Sequence, residues 1–426
     1  MPALYDTATA LYHFGIRCAA PFNPKAKRWL TGRQGVWQRL QAKAPALKGC
    51  LWMHCASVGE FEQGRPVLEA IKAQRPDLPV LLTFFSPSGY EARKDLGSAR
   101  PDSLVTHVDY LPADAAENAQ RLVQLLQPKV AVFVKYEFWY HHLHALKRAN
   151  VPTLLVSAIF RPKQPFFRWY GGAWRRMLRC FAQIHVQDDN SAALLAPLAL
   201  SDVRVSGDTR FDRVAAIART AEAVPTAAAF RGDGTVVVCG STWPDDERLL
   251  LEAQPALSPS AKWLVVPHEL EEAQLAAIEA RFPKPLARWS ELESTPAENV
   301  RALLGAGGSG TLLVDRMGLL ARLYQHGDVA YVGGGFGDGI HSLLEAAAWG
   351  RPVIFGPKHT KFAEAQGLID AGGGFEVADA PALADVLDRL LGDHAVLMRA
   401  SAAAQRYVQD RTGATERVVR GLLPLC

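Results

Sequence analysis

The sequence predicts an α/β protein built of two Rossmann-like domains that face each other across a cleft. Short apolar runs alternate with helical patterns through both halves of the chain, which is typical of parallel sheets covered by helices on both faces. A chain of 426 residues is also too long for one ordinary core. A stretch rich in Ala, Pro and Gly over 221–234 is the best candidate linker. We therefore predict an N-terminal domain over residues 1–220 and a C-terminal domain over residues 221–426.

The predicted strands are short apolar runs bounded by turn residues. In the first half they are Leu51–Ser57, Pro79–Phe85, Val130–Lys135, Thr153–Ala158 and Gln183–Gln187. In the second half they are Thr235–Ser241, Lys262–Pro267, Thr311–Asp315, Asp328–Gly334 and Pro352–Gly356. Ligands of such sheets bind beyond the carboxyl ends of the strands, so the turns that follow these runs are the places to look for function.

Composition excludes several classes of function. Hydrophobic residues make up 49% and charged residues 21% of the chain, as in soluble globular proteins. The net charge of +4 is too small to indicate nucleic-acid binding. The cysteines lack zinc-site spacing, and there is no Asp-x-Asp motif or compact set of metal ligands, so we expect reduced thiols and no metal. No apolar run approaches the roughly 18 residues that span a bilayer.

The N-terminal segment has a helical pattern and is followed by Lys25, Lys27, Arg28 and Arg33. An apolar helix beside a basic cluster is typical of a segment that lies in a membrane interface, with its cations near anionic headgroups. A helix packed on the first domain would show the same pattern, so both interpretations stand.

A glycine-rich turn follows the strand Asp328–Gly334 and leads into a helix of small residues. The three consecutive glycines that start at Gly333 let a ligand approach the backbone, where free N–H groups and the helix dipole favour a phosphate. We predict that Ser342 caps the helix 343–349 and that Glu345, in its first turns, accepts both hydroxyls of a ribose. Alternatively, the glycines serve only the turn and Glu345 only the helix dipole.

Two further strand ends in the second half carry polar turns. Gly240, Ser241 and Thr242 end one strand and precede a helix, where hydroxyl residues cap the helix or bind phosphate. Pro267 and His268 end another strand. Such turns at several strand ends of one domain indicate a nucleotide site.

The turn Ser57–Glu60 follows the first strand and opens the next helix. It would place Glu60 at the cleft, where a carboxylate can take the proton of an attacking hydroxyl. A carboxylate at this position also serves the helix dipole alone in many proteins. Glu62 is the competing candidate for the base.

Together these segments resemble the 3-deoxy-D-manno-octulosonic acid (Kdo) transferases of lipopolysaccharide synthesis. The resemblance covers nearly the whole chain and is carried by HCASVGEFEQGRP, LLTFFSPSGYE, VKYEFWYHHLHALKR, VSGDTRFDRV, CGSTWPDDE, LLVDRMGLLARLY and VGGGFGDGIHSLLEAAAWGRPVIFGPKHTKF. It implies an inverting glycosyltransferase of the two-domain B fold that moves Kdo from CMP-Kdo to a lipid A precursor. It also implies that Glu60 is the general base and that CMP-Kdo is the donor substrate, with no cofactor.

The resemblance also assigns nucleotide contacts to a set of residues. They are Pro267, His268, Met317, Gly318, Leu319, Ser342, Leu343, Leu344, Glu345 and Arg210. Glu345 fits the family pattern, whereas the family often has Arg at the place of His268, Glu at that of Leu319 and Asn at that of Ser342. At those three positions the resemblance implies backbone contacts. Arg210 is expected to meet the donor phosphate or carboxylate, or alternatively to form a salt bridge between the domains.

The segment KYEFWYHH ends a central strand at Lys135. The family usually has Glu where Lys135 stands, and Glu137 matches a second family Glu. We expect Lys135 to pair with an acceptor phosphate or the Kdo carboxylate while Glu137 orients it. A local Lys–Glu pair without substrate contact is the alternative.

The segment Phe160–Cys180 interleaves cations with aromatic rings. They are Arg161, Lys163, Phe166, Phe167, Arg168, Trp169, Tyr170, Trp174, Arg175, Arg176 and Arg179. Aromatic rings favour a membrane interface and cations favour phosphates, so the segment suits a lipid A precursor. We predict a peripheral or monotopic protein on the cytoplasmic face of the bacterial inner membrane. A helix with aromatic core residues and solvated Arg is the alternative.

Two other functions fit parts of the pattern. A sugar-nucleotide epimerase shares the two-domain fold but acts on soluble substrates and needs no basic aromatic segment. A non-catalytic nucleotide-sugar binding protein would not need a carboxylate at Glu60.

Overall fold

The structure is a computed structural model that describes residues 2–97, 103–256, 260–304 and 310–426. The chain divides into two compact units. Unit 1 comprises Met1–Arg213 with Thr412–Cys426, and unit 2 comprises Val214–Arg411. The boundary at Arg213 lies within the same helix as residue 220, where the sequence analysis placed it. Thr412–Cys426 belongs to unit 1, whereas the sequence analysis assigned it to the C-terminal domain.

The sheet of unit 1 is formed by parallel strands whose inner members are buried along their whole length. The strands are β1 (Leu51–Cys55), β2 (Val80–Phe84), β3 (His107–Tyr110), β4 (Val130–Val134), β5 (Thr153–Ala158), β6 (Gln183–Val186) and β7 (Val203–Val205). Their order is β3-β2-β1-β4-β5-β6-β7. Leu51 pairs with Val80 on one side and Val130 on the other, so the direction of strand succession reverses between β1 and β4.

Helices connect these strands. They are α1 (Pro2–Ala19), α2 (Pro24–Gly32), α3 (Val36–Leu47), α4 (Val58–Gln74), α5 (Pro87–Arg93), α6 (Ala116–Leu126), α7 (Tyr140–Arg148), α8 (Gly172–Leu178), α9 (Asp189–Leu195) and α10 (Thr209–Thr220), with 3-10 helices at Lys94–Gly97, Pro165–Phe167 and Ala196–Leu198. Helix α4 begins where Ser57 adopts extended backbone angles, directly after β1. Its buried residues Phe61, Val67, Leu68 and Ile71 belong to one core cluster with residues of β1, which fixes the direction of its first turn.

Unit 2 repeats the parallel design. Its strands are β8 (Val236–Thr242), β9 (Lys262–Pro267), β10 (Leu286–Arg288), β11 (Gly310–Leu313), β12 (Val329–Val332), β13 (Val353–Phe355) and β14 (Gly374–Glu376). Their order is β10-β11-β9-β8-β12-β13-β14, so the reversal of strand succession lies between β8 and β12. The register of that pair matches Val329 with Val237.

The helices of unit 2 cover both faces of its sheet. They are α11 (Pro225–Arg231), α12 (Pro244–Ala253), α13 (Glu272–Arg281), α14 (Trp289–Leu292), α15 (Ala297–Leu304), α16 (Leu320–Leu323), α17 (Leu344–Ala348), α18 (Ala363–Ala371), α19 (Ala380–Gly392) and α20 (His394–Gln409), with 3-10 helices at Gln254–Ala256 and Tyr324–His326.

The last helix, α21 (Ala414–Leu422), is followed by a 3-10 helix at Leu423–Leu425 and packs on unit 1. Val418, Val419 and Leu422 are buried in the cluster that contains β1 and β4. Asp212 accepts hydrogen bonds from the backbone N–H groups of Gly413 (2.6 Å) and Thr415 (2.7 Å), which anchors the start of the helix. Burial of this apolar face explains why the C-terminus joins the first unit.

The predicted α/β fold class is confirmed, and every predicted strand is present. The strands that the sequence analysis missed are β3, β7, β10 and β14, which are the outermost strands of the two sheets. Among the described residues, no helix is both long enough and apolar enough to cross a bilayer.

Candidate active site

Some of the predicted functional residues lie where strand succession reverses in each sheet. In open parallel sheets, ligands bind in the crevice beyond the strand ends at this reversal. In unit 1, Glu60 follows β1, while Lys135 and Glu137 follow β4. In unit 2, Trp243 follows β8 and Gly333 follows β12. Each unit therefore has one such crevice, and we describe the two separately.

Glu60 lies in the first turn of α4 and is half-buried. Its Oε2 accepts the backbone N–H of Ala56 at 2.5 Å. Burial raises the pKa of Glu60 to about 7, and the nearby charge of Glu137 adds to this, while the N–H groups of Ala56 and Ser57 and the charge of Lys135 lower it. A carboxylate with a pKa near neutrality is suited to accept a proton from a hydroxyl.

The carboxylate of Glu137 is buried and contacts His54 and Trp139. Its Oε2 lies 2.9 Å from Nε2 of His54 and accepts the indole N–H of Trp139 at 2.6 Å. On the opposite side of its ring, the Nδ1 atom of His54 lies 2.9 Å from the Thr83 hydroxyl. The Thr83 hydroxyl also accepts the indole N–H of Trp52 at 2.9 Å. This chain of contacts orients Glu137 in the crevice beside Glu60.

Lys135 has a left-handed backbone conformation, with φ of 68°. Such a conformation costs roughly 1–3 kcal/mol for a residue other than glycine and is found most often at functional sites. The ammonium group lies 5.3 Å from the ring centroid of Tyr136. The charge of Lys135 lowers the pKa of Glu60, whereas the charge of Glu137 raises it.

Glu62, the competing base, is committed to ion pairs. Its carboxylate lies 2.8 Å from the guanidinium of Arg93 and 3.7 Å from that of Arg213. Both ion pairs lie within unit 1 and occupy this carboxylate with protein partners. The geometry therefore favours Glu60 over Glu62 as the base.

Arg210 lies in the first turn of α10, within unit 1. Its Nε donates to Oδ2 of Asp208 at 2.8 Å, and its backbone N–H donates to Oδ1 of the same residue at 2.9 Å. Burial raises the pKa of Tyr136, and this phenol also responds to the charges of Arg161, Glu60 and Arg210. Arg210 is thus held by a local ion pair within electrostatic reach of the unit 1 crevice.

The glycine turn of unit 2 is built around Asp246, which is almost fully buried. Its Oδ2 accepts the backbone N–H groups of Trp243 (2.9 Å) and Gly334 (2.8 Å), and its Oδ1 accepts the hydroxyl of Tyr331 at 2.8 Å. The N–H of Gly333 donates to Gly240 O at 2.9 Å. The expectation of free N–H groups is therefore wrong for Gly333 and Gly334, because the fold itself uses these donors.

Three rings meet at this crevice and form what we call the ring stack: Trp243, His268 and His341. The planes of Trp243 and His341 differ by 11°, and the indole N–H donates to Nε2 of His341 at 3.1 Å, so the two rings lie side by side. The ring of His268 stacks on both, with centroid distances of 4.7 Å to Trp243 and 4.3 Å to His341. Burial lowers the pKa of His341 to about 4, so the ring is neutral at pH 7 and its Nε2 accepts the hydrogen bond from the Trp243 indole N–H.

The helix after the glycine turn starts later than the sequence analysis predicted. Helix α17 begins at Leu344, and its N-cap residue is Leu343, which supplies no side-chain cap. Ser342 is exposed, so the predicted serine cap is wrong. Leu343 and Leu344 are fully buried, so neither their side chains nor their backbone atoms are exposed. Glu345 is half-buried in the first turn, and its charge helps raise the pKa of the buried Tyr324 after burial itself.

The other predicted donor residues follow β9 and β11. Pro267 ends β9 and is buried, whereas His268 is exposed and its N–H donates to Thr242 O at 2.9 Å. Met317 and Gly318 lie in the turn after β11, with Met317 78% exposed and Gly318 at φ of 83°. Leu319 is half-buried and precedes α16. The structure thus brings His268 into the ring stack and leaves Met317 projecting from its turn.

The described part of the chain contains no group of three or more His, Cys, Asp or Glu side chains arranged to hold a metal ion. The cysteines are free. The sequence analysis missed His54, Trp139, Asp246 and His341, and it quoted Trp243 without assigning it a role. These residues act through partners distant in sequence, and no local pattern identifies such partners.

Comparisons with known proteins show which proteins the chain is similar to. Residues 30–213 match the family model described as 3-deoxy-D-manno-octulosonic-acid transferase (kdotransferase). The chain is 29% identical over 395 residues to the 3-deoxy-D-manno-octulosonic acid transferase of Bordetella pertussis, covering 90% of this chain and 89% of that protein. It is 28% identical over 351 residues to the enzyme of the same name from Aquifex aeolicus, covering 81% and 86%.

Solved structures share the fold at low identity. The UDP-GlcNAc 2-epimerase of Neisseria meningitidis matches with a TM-score of 0.60 at 14% identity, covering 88% of this chain and 99% of that one. MurG of Acinetobacter baumannii matches with a TM-score of 0.53 at 13% identity, over the same shares of the two chains. These likenesses support the two-unit α/β architecture. The predicted resemblance to the Kdo transferases is confirmed by the sequence relatives.

Proposed function

We propose that this chain, which is related to the Kdo transferases over most of its length, is a glycosyltransferase that moves Kdo from CMP-Kdo to a lipid A precursor. The observation that carries the proposal is Glu60, a half-buried carboxylate at the strand reversal of unit 1 with a pKa raised to about 7. At neutral pH a large fraction of such a carboxylate is ionised, so it is ready to accept a proton.

The reaction is a direct displacement with inversion. The attacking hydroxyl of the acceptor passes its proton to Glu60 as its oxygen forms a bond to the anomeric carbon of Kdo. The bond from that carbon to the phosphate oxygen breaks, and CMP leaves with the electron pair. Negative charge develops on the departing phosphate, and a cation such as Arg210 is suited to stabilise it.

Unit 2 binds the nucleotide in this proposal. The ring stack offers flat surfaces at the carboxyl ends of β8 and β9, and stacking on aromatic rings is a sequence-tolerant way to hold a base. Glu345 follows the glycine turn and is placed to accept the ribose hydroxyls.

The acceptor side of the proposal includes the membrane surface. One side of α1 is tied to unit 1, since the Tyr5 hydroxyl donates to Asp114 at 2.6 Å. Other residues of the same helix and the turn after it are exposed, with Leu11 65%, Phe14 63% and Phe22 90% accessible. Packing on unit 1 therefore accounts for one side of the helix, and the exposed apolar groups beside a basic cluster suit a membrane interface.

The test of the function is an assay of transfer. Purified protein is incubated with CMP-Kdo and a tetraacylated lipid A precursor, and CMP release and Kdo-lipid are measured. We expect CMP release that depends on the acceptor. Release without acceptor dependence, or no release, would contradict the transferase function.

The epimerase alternative is tested in parallel. The epimerases share the fold at 13–15% identity, whereas the closely matching sequences over most of the chain are transferases. We expect no interconversion of UDP-GlcNAc by the purified protein. Turnover of that soluble substrate would favour the epimerase over the transferase.

A further inference from the structure

A cavity of about 390 Å³ lies in unit 1 beside Glu137. This volume lies within the range of small-molecule pockets, about 300–1,000 Å³. Its walls are mainly aromatic and come from α1, the turn after β4, the 3-10 helix after β5, and α8; the residues that matter below are Tyr5, Tyr136, Trp139, Gln164, Phe166 and Trp174. Glu137 lines the cavity after β4, and Glu60 follows the neighbouring strand β1, so the cavity lies at the same edge of the sheet as the proposed base.

Several polar groups in the wall are already paired within the protein. The Tyr5 hydroxyl donates to Asp114 at 2.6 Å, and the Trp139 indole N–H donates to Glu137 at 2.6 Å. The side-chain oxygen of Gln164 accepts the backbone N–H of a neighbouring residue at 2.9 Å. A ligand covered in hydroxyl groups would lose hydrogen bonds to water and recover few of them here, so the cavity favours an apolar ligand.

A row of rings leads from this cavity to solvent. Trp174 lines the cavity, and its ring centroid lies 6.5 Å from that of Tyr170. Tyr170 in turn lies 5.6 Å from Trp169, which is 92% exposed. The row therefore provides a continuous aromatic surface from the outside of unit 1 to the cavity beside Glu137. Rings of this kind favour the boundary between water and lipid.

The outer end of this row is cationic. The segment Phe160–Cys180 contains no Asp or Glu. Its exposed cations are Arg161, Lys163, Arg168, Arg176 and Arg179. An apolar cavity entered through a cationic surface is complementary to a phosphorylated lipid, whose phosphates meet the cations while its chains remain among the rings.

From the cavity, the row of rings and its cationic entrance, we propose that the cavity receives one acyl chain of the lipid acceptor and so holds the acceptor beside Glu60. This inference rests on the proposed transfer function and adds the part of the acceptor that the protein recognises. In this proposal Trp174 contacts the acyl chain and so favours acylated acceptors, because its ring lines the cavity and also contacts Tyr170 in the row of rings.

The experiment compares two acceptors with the full-length chain in detergent micelles: the tetraacylated precursor and its fully deacylated disaccharide. For the acylated acceptor, we expect Trp174→Ala to raise KM by roughly tenfold, the effect of losing one or two buried methylene contacts. For the deacylated acceptor, KM is expected to stay unchanged. Trp174→Phe is expected to restore much of the affinity for the acylated acceptor, because it retains a ring.

Trp37→Ala is the matched control, since this half-buried ring lies on α3 of unit 1, outside the row of rings, and does not line the cavity. Its KM ratio between the two acceptors is expected to equal that of the wild type. Equal increases of KM for both acceptors in Trp174→Ala would show that the cavity binds the sugar, and unchanged KM values would show that it binds neither part. Either result overturns the inference.

A second readout does not require transfer. The methyl ester of cis-parinaric acid, a neutral fluorescent acyl chain, is titrated into the wild type and Trp174→Ala, with folding of the variant checked by circular dichroism and thermal unfolding of the whole chain. We expect roughly tenfold weaker binding by the variant. Equal binding overturns the inference whether or not transfer is observed, whereas a wild type that transfers Kdo to neither acceptor overturns the proposed function alone.

Discussion

The Nε2 atom of His54 lies 2.9 Å from the Oε2 atom of Glu137 at the carboxyl end of the unit 1 sheet. The same carboxylate accepts the indole N–H of Trp139. Because Glu137 is buried and held from two directions, its charge has a defined position relative to Glu60 and raises the pKa of that residue in addition to the effect of burial. Glu137 is thus a positioning residue that adjusts the proton affinity of the proposed base.

Replacing Glu60 tests the base directly. We expect Glu60→Gln to lower kcat by about 10²–10⁴, the usual contribution of a positioned base, and to leave CMP affinity unchanged. The assay measures acceptor-dependent CMP release, and calorimetry measures CMP binding. Glu62→Gln is the control and is expected to keep most of the activity, because its ion pairs with Arg93 and Arg213 serve structure. Full activity in Glu60→Gln would remove that residue from the mechanism.

The two charges near Glu60 predict opposite shifts of the pH profile. A base is active when deprotonated, so wild-type kcat/KM is expected to rise with pH through about 7. Glu137→Gln removes a like charge and is expected to move this rise to lower pH. Lys135→Ala removes an opposite charge and is expected to move it to higher pH. Shifts in the same direction in both variants would contradict the arrangement.

The raised pKa of Glu60 also predicts a gain in stability when its charge is removed. The folded-state pKa of about 7 exceeds the unfolded value of 4.5, so the folded chain binds the proton more tightly. The contribution of this group to stability is therefore complete below pH 4.5 and is lost as pH rises towards and through 7. We expect Glu60→Gln to raise the melting temperature relative to wild type at pH 8 by more than at pH 5. A gain of equal size at both pH values would mean that ionisation is not its cause.

The ring stack predicts a loss of nucleotide affinity when the indole is removed. Stacking of a base on an aromatic side chain contributes about 1–3 kcal/mol, so we expect Trp243→Ala to weaken CMP binding about tenfold in calorimetry. Trp243→Phe retains a ring but loses the N–H that donates to His341, and an intermediate loss is expected.

Trp349→Phe is the matched control for the lost indole N–H. Its indole donates to Ala321 O at 2.7 Å, also within unit 2. We expect its CMP affinity to equal that of the wild type. If the Trp243 variants also bind CMP like the wild type, the ring stack has no part in donor binding.

Membrane association predicts two independent effects. The double substitution Leu11→Ser with Phe14→Ser removes exposed apolar surface, and Arg168→Glu with Arg176→Glu reverses exposed charge. We expect each pair to reduce co-sedimentation with anionic vesicles several-fold, and added salt to weaken wild-type binding. Arg175 is left in place, because its guanidinium donates to Phe166 O at 3.1 Å and Arg168 O at 3.0 Å and so supports the local backbone.

Met398→Ser is the control for exposed apolar surface in general. Met398 is about half exposed and lies in unit 2, away in sequence from the segments proposed to meet the membrane. Its vesicle binding is expected to equal that of the wild type. If Met398→Ser reduced vesicle binding as much as the Leu11 and Phe14 pair does, the assay would be measuring non-specific hydrophobic adsorption and not a defined membrane surface.

The inner strands could be predicted from local sequence pattern, and the outermost strands could not. Strands such as β1 and β5 are buried along their whole length and are therefore mainly apolar, which is why the sequence analysis located them. The outermost strands β7, β10 and β14 are short and partly exposed, so they carry no such run. An edge strand is defined by the neighbour with which it pairs, and that information is absent from its own residues.

In the candidate site, too, some features could be predicted from the sequence and one was predicted wrongly. The positions of Glu60, the glycine turn and Glu345 could be predicted, because Glu60 and the turn closely follow recognisable strands and Glu345 lies in the helix after the turn. The predicted cap by Ser342 is wrong, because the helix starts later and Leu343 is buried at its N-cap. Burial of an apolar side chain outweighed the local preference for a serine cap at this position.

The sequence by itself determined that the chain forms two parallel α/β sheets, that it is related to the Kdo transferases, and where the turns that carry Glu60 and Glu345 lie. Only the tertiary structure decided that His54 and Trp139 hold Glu137, that His341 joins Trp243 and His268, and that the C-terminal helix α21 packs on unit 1. The physical reason is the distance along the sequence between the residues that interact. Strand burial and turn formation depend on consecutive residues, whereas pKa values, stacked rings and helix docking depend on strand order, which brings distant residues together.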